Sequence, residues 1–395
     1  MDAQRITMIA PFGIRPKGTL LARMLPLAKA LTREGLRVQI IAPPIHNPQD
    51  AGTTVVVDGV SVTHTARATL PGLVGVIQQA WVLLRAVQAS TPEIVYLFKP
   101  KGHAGLAAQW LQLLQPQIPL VVDCDDREGT GGWNDELPYP MLAKWLFAWQ
   151  ERTLPRAAAA VTVASRTLQS LCWADGCHPD AVWYLPNAAD VGSAVVEPIP
   201  ADGQRMVLYT RFWEFDVAQL VPVVARICAA LPACRLDVIG TGEHGEERAF
   251  AALLAEAGIA DQVTMHGWLE PAAITPVLAS ASVALVPVRD SLINRARCSA
   301  KLLELLGAGI VVVGHDVGEM RQFVQHGQNG LLVAPDDAES YADAVIELLQ
   351  DADRLQSMRQ AAVAGASRES WEARVPACRA AFAYATRHAQ DHKRL

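Results

Sequence analysis

The sequence contains no apolar run approaching the roughly 18–20 residues that span a bilayer, and no signal peptide opens it, so neither an integral membrane protein nor a secreted one is expected. Cysteine is scarce: seven in 395 residues, an odd number without CxxC or Cys/His ligand spacing. That usage fits reduced thiols and argues against a zinc site or a disulfide scaffold. Basic excess is missing as well. Lys and Arg number 34 against 40 Asp and Glu, a net charge of −6, so there is no electrostatic footprint for nucleic acid. No GxSxG elbow, GxxxxGK[ST] loop or HExxH helix occurs, which lowers the expectation of hydrolase, kinase or metalloprotease chemistry. Low-complexity segments and short-period repeats are absent too.

What is present is enough for two cores. A chain of 395 residues exceeds the size at which single domains usually split. Short buried strands alternate with helical periodicity twice over. The first series comprises Ile6–Ala10, Val38–Ala42, Ile94–Phe98, Leu120–Cys124, Val161–Ala164 and Trp183–Leu185. Gly13 and Gly18 flank the turn after its first strand, and Pro26 is expected near a helix start or at a kink. Val55–Val57 and Val60–Val62 around Asp58-Gly59 predict a hairpin with a primed turn. Asp190–Gly203 lacks periodicity and predicts a linker. The pattern restarts at Met206–Thr210 and ends with a helix from Ser370-Trp371. The expected fold class is α/β, two Rossmann-like domains facing across a cleft: residues 1–190, 204–369 and a terminal helix over 370–395.

The densest stretch is Ser282–Val333. A strand leads into a polar loop with Arg289, Arg295 and Arg297, a helix opens near Ser299, and Gly309 closes it. Free N–H groups and the positive dipole end at such a helix start suit a phosphate, with Lys301 and Glu304 in its first turns. Arg211 ends a strand, where a guanidinium can clamp phosphate oxygens or pair with Glu214 or Asp216. Gly240-Thr241-Gly242-Glu243-His244-Gly245 matches GxGxxG, but on the second strand of its series, so a close backbone approach to a nucleotide is preferred over a dinucleotide site. After Leu120–Cys124 the loop DCDDREG crowds Asp123, Asp125, Asp126 and Glu128. Such a loop must be solvated, paired with cations, or facing a polyhydroxyl ligand. Lys99, Lys101 and His103 follow the preceding strand, and His103 is a candidate acid, base or phosphate contact. Met1–Arg37 holds seven basic and two acidic residues, a basic face compatible with an anionic substrate or a membrane surface.

Together LYTRF (Leu208–Phe212), LDVIGTGEHGEE (Leu236–Glu247), KLLELLGAGIVVVGHDVGEM (Lys301–Met320), HGQNGLLV (His326–Val333), YLPNAAD (Tyr184–Asp190) and Ser370-Trp371 resemble the retaining nucleotide-sugar glycosyltransferases of the GT-B fold, family 4 in particular. The resemblance implies that Arg211 binds the donor diphosphate and Glu304 the ribose. It also implies that backbone at Ser299–Lys301 cradles phosphate, that Gly240, Gly242 and His266–Trp268 lie near the base, and that Gly13 and Gly18 border the cleft. Three positions depart from the pattern: Asp216 stands where a Lys is usual, Ala296 replaces the first of two glutamates, and Asp125 replaces a His.

The expected activity is transfer of a sugar from a UDP-, GDP- or similar nucleotide-sugar to a glycan, lipid-linked or small-molecule acceptor, with retention. Arg211 and Lys301 would stabilise the leaving diphosphate. Asp125 or Asp126 would orient or deprotonate the acceptor, His103 would touch sugar or phosphate, and domain closure would exclude water. No cofactor and no metal is required, although the acidic loop leaves a divalent ion open. A cytoplasmic protein is expected, with peripheral membrane contact through Met1–Arg37 and the Leu73–Val87 helix left open. A sugar-nucleotide epimerase on the same fold, and a partner subunit that has lost activity through Ala296 and Asp216, remain as alternatives.

Overall fold

The computed structural model describes residues 4–14, 18–188 and 204–391, the last two of these by backbone alone. The predicted linker Asp190–Gly203 lies outside the described residues. Contacts divide the chain into a first unit (Met1–Ala188, Ala296–Cys298 and Trp371–Leu395) and a second (Ala189–Arg295 and Ser299–Ser370).

The first unit begins with β1 (Arg5–Ile9), followed by α1 (Leu25–Arg33), β2 (Arg37–Ala42), the hairpin β3 (Thr54–Val57) and β4 (Val60–His64), and α2 (Gly72–Ala89). Then come β5 (Ile94–Phe98), α3 (Gly102–Leu114), β6 (Leu120–Cys124), α4 (Trp133–Glu136), α5 (Met141–Ala157), β7 (Ala160–Val163), α6 (Arg166–Ala174) and β8 (Val182–Tyr184). A π-helical turn over Leu20–Met24 runs directly into α1, whose first turn holds Pro26. Asp58 and Gly59 have φ of 49° and 83°, the two positive values a type I′ hairpin turn needs. The sheet runs β3-β4-β2-β1-β5-β6-β7-β8, parallel except for β3. Every residue of β5 and β6 is buried, as a sheet covered on both faces requires.

The second unit holds β9 (Arg205–Tyr209), α7 (Val217–Ala230), β10 (Arg235–Ile239), α8 (Glu246–Glu256), β11 (Val263–Gly267), α9 (Pro271–Ser280), β12 (Val283–Val286) and α10 (Leu292–Ala296). It continues with α11 (Ala300–Gly307), β13 (Val311–His315), α12 (Met320–Phe323), β14 (Gly330–Val333), α13 (Ala338–Gln350) and α14 (Ala352–Ala366). Its sheet is parallel in the order β11-β10-β9-β12-β13-β14, a doubly wound Rossmann arrangement.

The last helix, α15 (Trp371–Asp391), leaves the second unit and packs on α1, β6, β7 and β8 of the first. Its Trp371, Val375, Cys378 and Phe382 join the core formed by Ile6, Met8, Ile40, Ile94 and Tyr96. The opposite face of that sheet is covered by α2, α3 and α5. The architecture is therefore two parallel-sheet α/β domains with a terminal helix returned to the first.

Candidate functional site

Ligands of open doubly wound sheets bind beyond the carboxyl ends of the strands, where strand order reverses. That reversal lies between β1 and β5 in the first sheet and between β9 and β12 in the second. In the first unit Gly13 and Gly18 follow β1, His103 follows β5, and Asp125 and Asp126 follow the adjacent β6. In the second, Arg211 follows β9, Gly240 and Gly242 follow β10, and Ser299, Lys301 and Glu304 follow β12.

The acidic loop is largely neutralised from within its own unit. Asp123 is fully buried and bridged in bidentate fashion by Arg23, whose Nε and Nη2 donate to Oδ1 and Oδ2 at 2.8 and 2.7 Å. The hydroxyls of Thr162 and Tyr96 donate to Oδ2 at 2.5 and 3.1 Å. Arg23 also donates to Asn187 Oδ1 at 2.9 Å and to the Leu185 carbonyl at 2.7 Å. Lys99 Nζ donates to Asp126 and, at 3.0 Å, to Glu128 Oε1. Lys101 Nζ donates to Glu128 Oε2 at 2.6 Å and lies over the Tyr139 ring.

Asp125 is what remains. Its Oδ2 accepts from the Thr19 hydroxyl at 3.3 Å, and Lys99 Nζ stands 3.4 Å from Oδ1. Although Oδ1 is buried, it accepts no hydrogen bond. Burial lifts the Asp125 carboxyl to about 7; Lys99 opposes the shift while Asp126 and Asp123 add to it. Burial would lower the Lys99 ammonium, but Asp125, Asp126 and Glu128 outweigh it and hold the amine well above its usual value. His103 is driven down to about 4 by burial, against the Pro11 carbonyl 3.4 Å from Nε2, so its imidazole is neutral at pH 7. Gly13 packs so closely that a Cβ there would fall 1.8 Å from Asn47 Oδ1. Gly18 is exposed, and its carbonyl accepts from Ala22 at 2.9 Å.

In the second unit the hub is Glu214, which sequence considered only as a rival partner for Arg211. Its buried carboxylate accepts from Thr210 Oγ1 at 3.0 Å, from the Arg211 N–H at 3.1 Å and from Lys301 Nζ at 3.3 Å. Lys301 also lies 5.3 Å from the centre of the Tyr209 ring. Burial and a hydrogen bond to Glu304 raise the Tyr209 phenol, which ties Glu304 to the same cluster. The Arg211 guanidinium is exposed and pairs with Glu243 at 3.2 Å, not with Glu214 or Asp216. Asp216 instead caps α7 by accepting the Ala218 N–H at 2.9 Å. Arg295 is gripped by Asp290 at 2.5 and 2.6 Å. The Ser299 side chain makes no cap bond at α11.

Gly240 has φ of 121° and an imagined Cβ 1.8 Å from the Thr210 carbonyl, a position only glycine occupies without displacing β9. The N–H groups of Gly242 and His244 donate to Glu247 and Glu246 at 2.9 and 2.8 Å. That loop is thus filled by its own carboxylates, against a dinucleotide pyrophosphate there. His266 Nε2 sits 2.7 Å from Asp237 Oδ1, and Arg205 lies 3.2 Å from the same carboxylate. Among the described residues no three His, Cys, Asp or Glu side chains are grouped to hold a metal ion.

Of the basic residues in Met1–Arg37, Arg15 and Lys17 lie outside the described residues, Arg37 is exposed, and the other four pair with acids. Arg23 is buried on Asp123, Lys29 pairs with Asp58 at 2.7 Å, Arg33 with Glu372, and Arg5 with Glu93 at 3.6 Å. Acids from distant segments thus meet four of the seven basic residues.

Two family models match the chain: "Glycosyl transferase 4-like domain" over residues 18–188 and "Glycosyl transferases group 1" over residues 204–351. The chain is similar to the phosphatidyl-myo-inositol mannosyltransferase of Mycolicibacterium smegmatis, 23% identical over 88% of this chain and 85% of that protein. Among solved structures it is similar to sucrose-phosphate synthase from Thermosynechococcus elongatus, with TM-score 0.72, 18% identity and 99% and 98% of the two chains covered. The Anabaena protein HepE in complex with UDP and glucose gives TM-score 0.70, 15% identity and coverage of 94% and 98%.

Proposed function

The chain belongs to the GT-B glycosyltransferases of the family-4 type, enzymes that move a sugar from a nucleotide donor to an acceptor, and from that premise we propose how its own residues divide the work. The second unit binds a nucleoside diphosphate-sugar. Arg211, Lys301 and the N–H groups opening α11 at Ser299 hold the diphosphate. Glu304 accepts from the ribose hydroxyls, and Gly240, Gly242 and the His266–Trp268 segment border the base. The observation that carries this reading is the meeting of Lys301 Nζ and the Arg211 backbone N–H on Glu214, with Glu304 bonded to the adjacent Tyr209, at the β9/β12 reversal.

The first unit presents the acceptor, with Gly13 and Gly18 bordering its place and neutral His103 hydrogen-bonding sugar or phosphate. The bond from the anomeric carbon to the diphosphate oxygen breaks and its electron pair leaves with the diphosphate. The acceptor oxygen bonds to that carbon on the same face, so configuration is retained, and its proton passes to Asp125. Asp126, fixed by Lys99, shapes the loop around it. Fixed cations beside the leaving group favour the charge it gains. Contact with a membrane on its cytoplasmic face belongs to the same proposal, because the M. smegmatis relative is named for a lipid acceptor and the outer stripe of α2 is exposed and apolar. No helix of the described residues is long and apolar enough to cross a membrane.

The test is turnover of UDP- and GDP-sugars with a range of acceptors, followed by NMR of the product. Nucleotide release matched by glycoside of the donor's own anomeric configuration is expected. An inverted anomer would remove retention, an epimerised free sugar without acceptor would make the chain an epimerase, and tight donor binding without turnover would make it a binding subunit.

A pH profile tests the base. With Asp125 titrating at about 7, kcat/KM is expected to rise through neutrality and level off once the carboxylate dominates. Asp125→Asn is expected to lose about 100-fold and the ionisation with it; a profile unchanged in shape would remove the assignment. Stability runs the opposite way. The native carboxyl keeps a proton that the unfolded one gives up near 3.8, so this group's contribution is lost as pH rises from there to about 7.

A further inference from the structure

Three residues inside the second unit's run of sequence belong to the first. Ala296–Cys298, the last residue of α10 and the turn before α11, group by their contacts with the first unit, whereas Arg295 and Ser299 on either side group with the second. Asn187, just past β8, is what holds Cys298. Its Nδ2 donates to the Cys298 carbonyl at 2.6 Å, and its backbone N–H donates to Cys298 Sγ at 3.3 Å. The Asn187 carbonyl accepts from Arg374 of α15 at 3.5 Å. Cys298 is buried, a setting in which hydrogen bonds are electrostatically stronger than in water.

The other end of the same carboxamide faces the acidic loop. Asn187 Oδ1 accepts from Arg23 Nη1 at 2.9 Å, while Nε and Nη2 of that guanidinium hold Asp123, two residues before Asp125. The partners fix which way the amide points, because a guanidinium only donates and a carbonyl only accepts. A gapless chain therefore runs from the Cys298 carbonyl through amide and guanidinium to the carboxylate in β6. Its members reinforce one another. The Arg23 cation at Oδ1 draws charge from the amide and makes Nδ2–H the stronger donor, as linked hydrogen bonds polarise each other away from water.

What the chain reaches at its far end is the opening of α11. A peptide group is planar and trans, with its C=O and N–H on opposite sides. Holding the Cys298 carbonyl therefore aims the N–H of Ser299, the first of the donors at that helix start. A carbonyl that accepts a hydrogen bond also leaves its peptide N–H the better donor to an anion. Ser299, with φ −77° and ψ 115°, makes no side-chain cap bond, so no hydroxyl cap shares that task.

We infer that Asn187 is a positioning residue for sugar transfer: its carboxamide fixes the donor-binding turn before α11 and, through Arg23 and Asp123, the loop that carries Asp125. The inference rests on the roles proposed above for the Ser299 N–H and for Asp125. Transfer needs those two groups aligned, since a misplacement of about 1 Å costs on the order of 100-fold. Referring both to one amide meets that need, and it makes a change at either end felt at the other.

The test measures binding of UDP and of GDP to the full chain by calorimetry, beside transfer with saturating donor. Asn187→Asp keeps an acceptor for Arg23 but loses the donor to Cys298, and Asn187→Ala loses both. Affinity for the nucleotide that wild type binds is expected to fall about fivefold in each. In Asn187→Ala, kcat should fall at least about tenfold as well. A double-mutant cycle tests the path. Arg23→Met with Asp123→Leu is expected to weaken nucleotide binding about threefold while Asn187 is present, and to have no further effect once Asn187→Ala has cut the chain. Should Asn187→Ala fold poorly, Asn187→Asp carries the affinity test alone. Nucleotide affinity unmoved by Asn187→Asp, whatever its melting temperature, overturns the inference and leaves Asn187 a support of the fold only. Effects in the cycle that simply multiply overturn it too. A wild-type chain that binds neither nucleotide would sink the donor reading itself, and the inference with it.

Discussion

Arg211→Ala is expected to lower kcat/KM for sugar transfer by at least about 100-fold, the scale on which removing one preorganised charge contact acts. The side chain is 60% exposed and pairs with Glu243, itself 50% exposed. An exposed pair of that kind contributes little to folding, so stability should change by under about 1 kcal/mol. Loss of turnover in a fold that melts normally would separate binding of the leaving group from structural support. Arg211→Lys should recover only part of the loss, because an ammonium keeps the charge but not the two parallel N–H donors that match phosphate oxygens. Glu243 pairs with the guanidinium, so on the proposed reading nucleotide would have to displace that carboxylate to engage it. Binding of the nucleoside diphosphate should therefore tighten in Glu243→Gln and weaken in Arg211→Ala. Turnover within about twofold of wild type in Arg211→Ala would remove the clamp and leave the donor cluster without an exposed guanidinium after β9.

Strands such as β5 and β6 were legible because each is a short, mainly apolar run buried on both sides, and the Asp58-Gly59 turn because its dihedrals demand those residues. Helices α9 and α14 were not, since their windows are rich in alanine and lack a clear apolar stripe. The candidate site was legible as a set of loops, not as a set of contacts. Sequence places Lys99 some way from Asp126, and nothing local joins them. The parallel register pairs Phe98 with Asp123, which sets the two strand exits side by side and brings the lysines onto the acids. Of the three readings left open for that loop, pairing with cations holds for Asp123, Asp126 and Glu128. Glu214 was overlooked for a similar reason: its partners Thr210 and Arg211 are local, but Lys301 arrives through the β9–β12 pairing. Charge counted along Met1–Arg37 likewise ignores acids that folding brings from elsewhere: Glu93, Asp123, Asp58 and Glu372 pair with four of its basic residues.

Arg23 shows that effect at its largest and carries the second large prediction. An arginine among Leu20, Leu21, Met24 and Leu25 reads as a solvated side chain; it is 2% exposed, on an aspartate that is fully buried. Removing one member of such a pair strands the other charge in the core, at a cost of about 3–5 kcal/mol. Arg23→Ala should therefore lose that much by denaturant unfolding at neutral pH, and Asp123→Ala a comparable amount. The two losses should not add. With both charges gone no ion is left stranded, so Arg23→Met with Asp123→Leu should cost less than the sum of the single changes by more than about 1 kcal/mol. The pair also anchors the end of β6, two residues before Asp125, and reaches Asn187 from the same guanidinium. Transfer by the double variant should for that reason fall further than its residual stability explains, because Asp125 would keep its chemistry but lose its fixed position. Single changes costing under about 1 kcal/mol, or strictly additive ones, would mean the pair is replaceable by water and does not hold the loop.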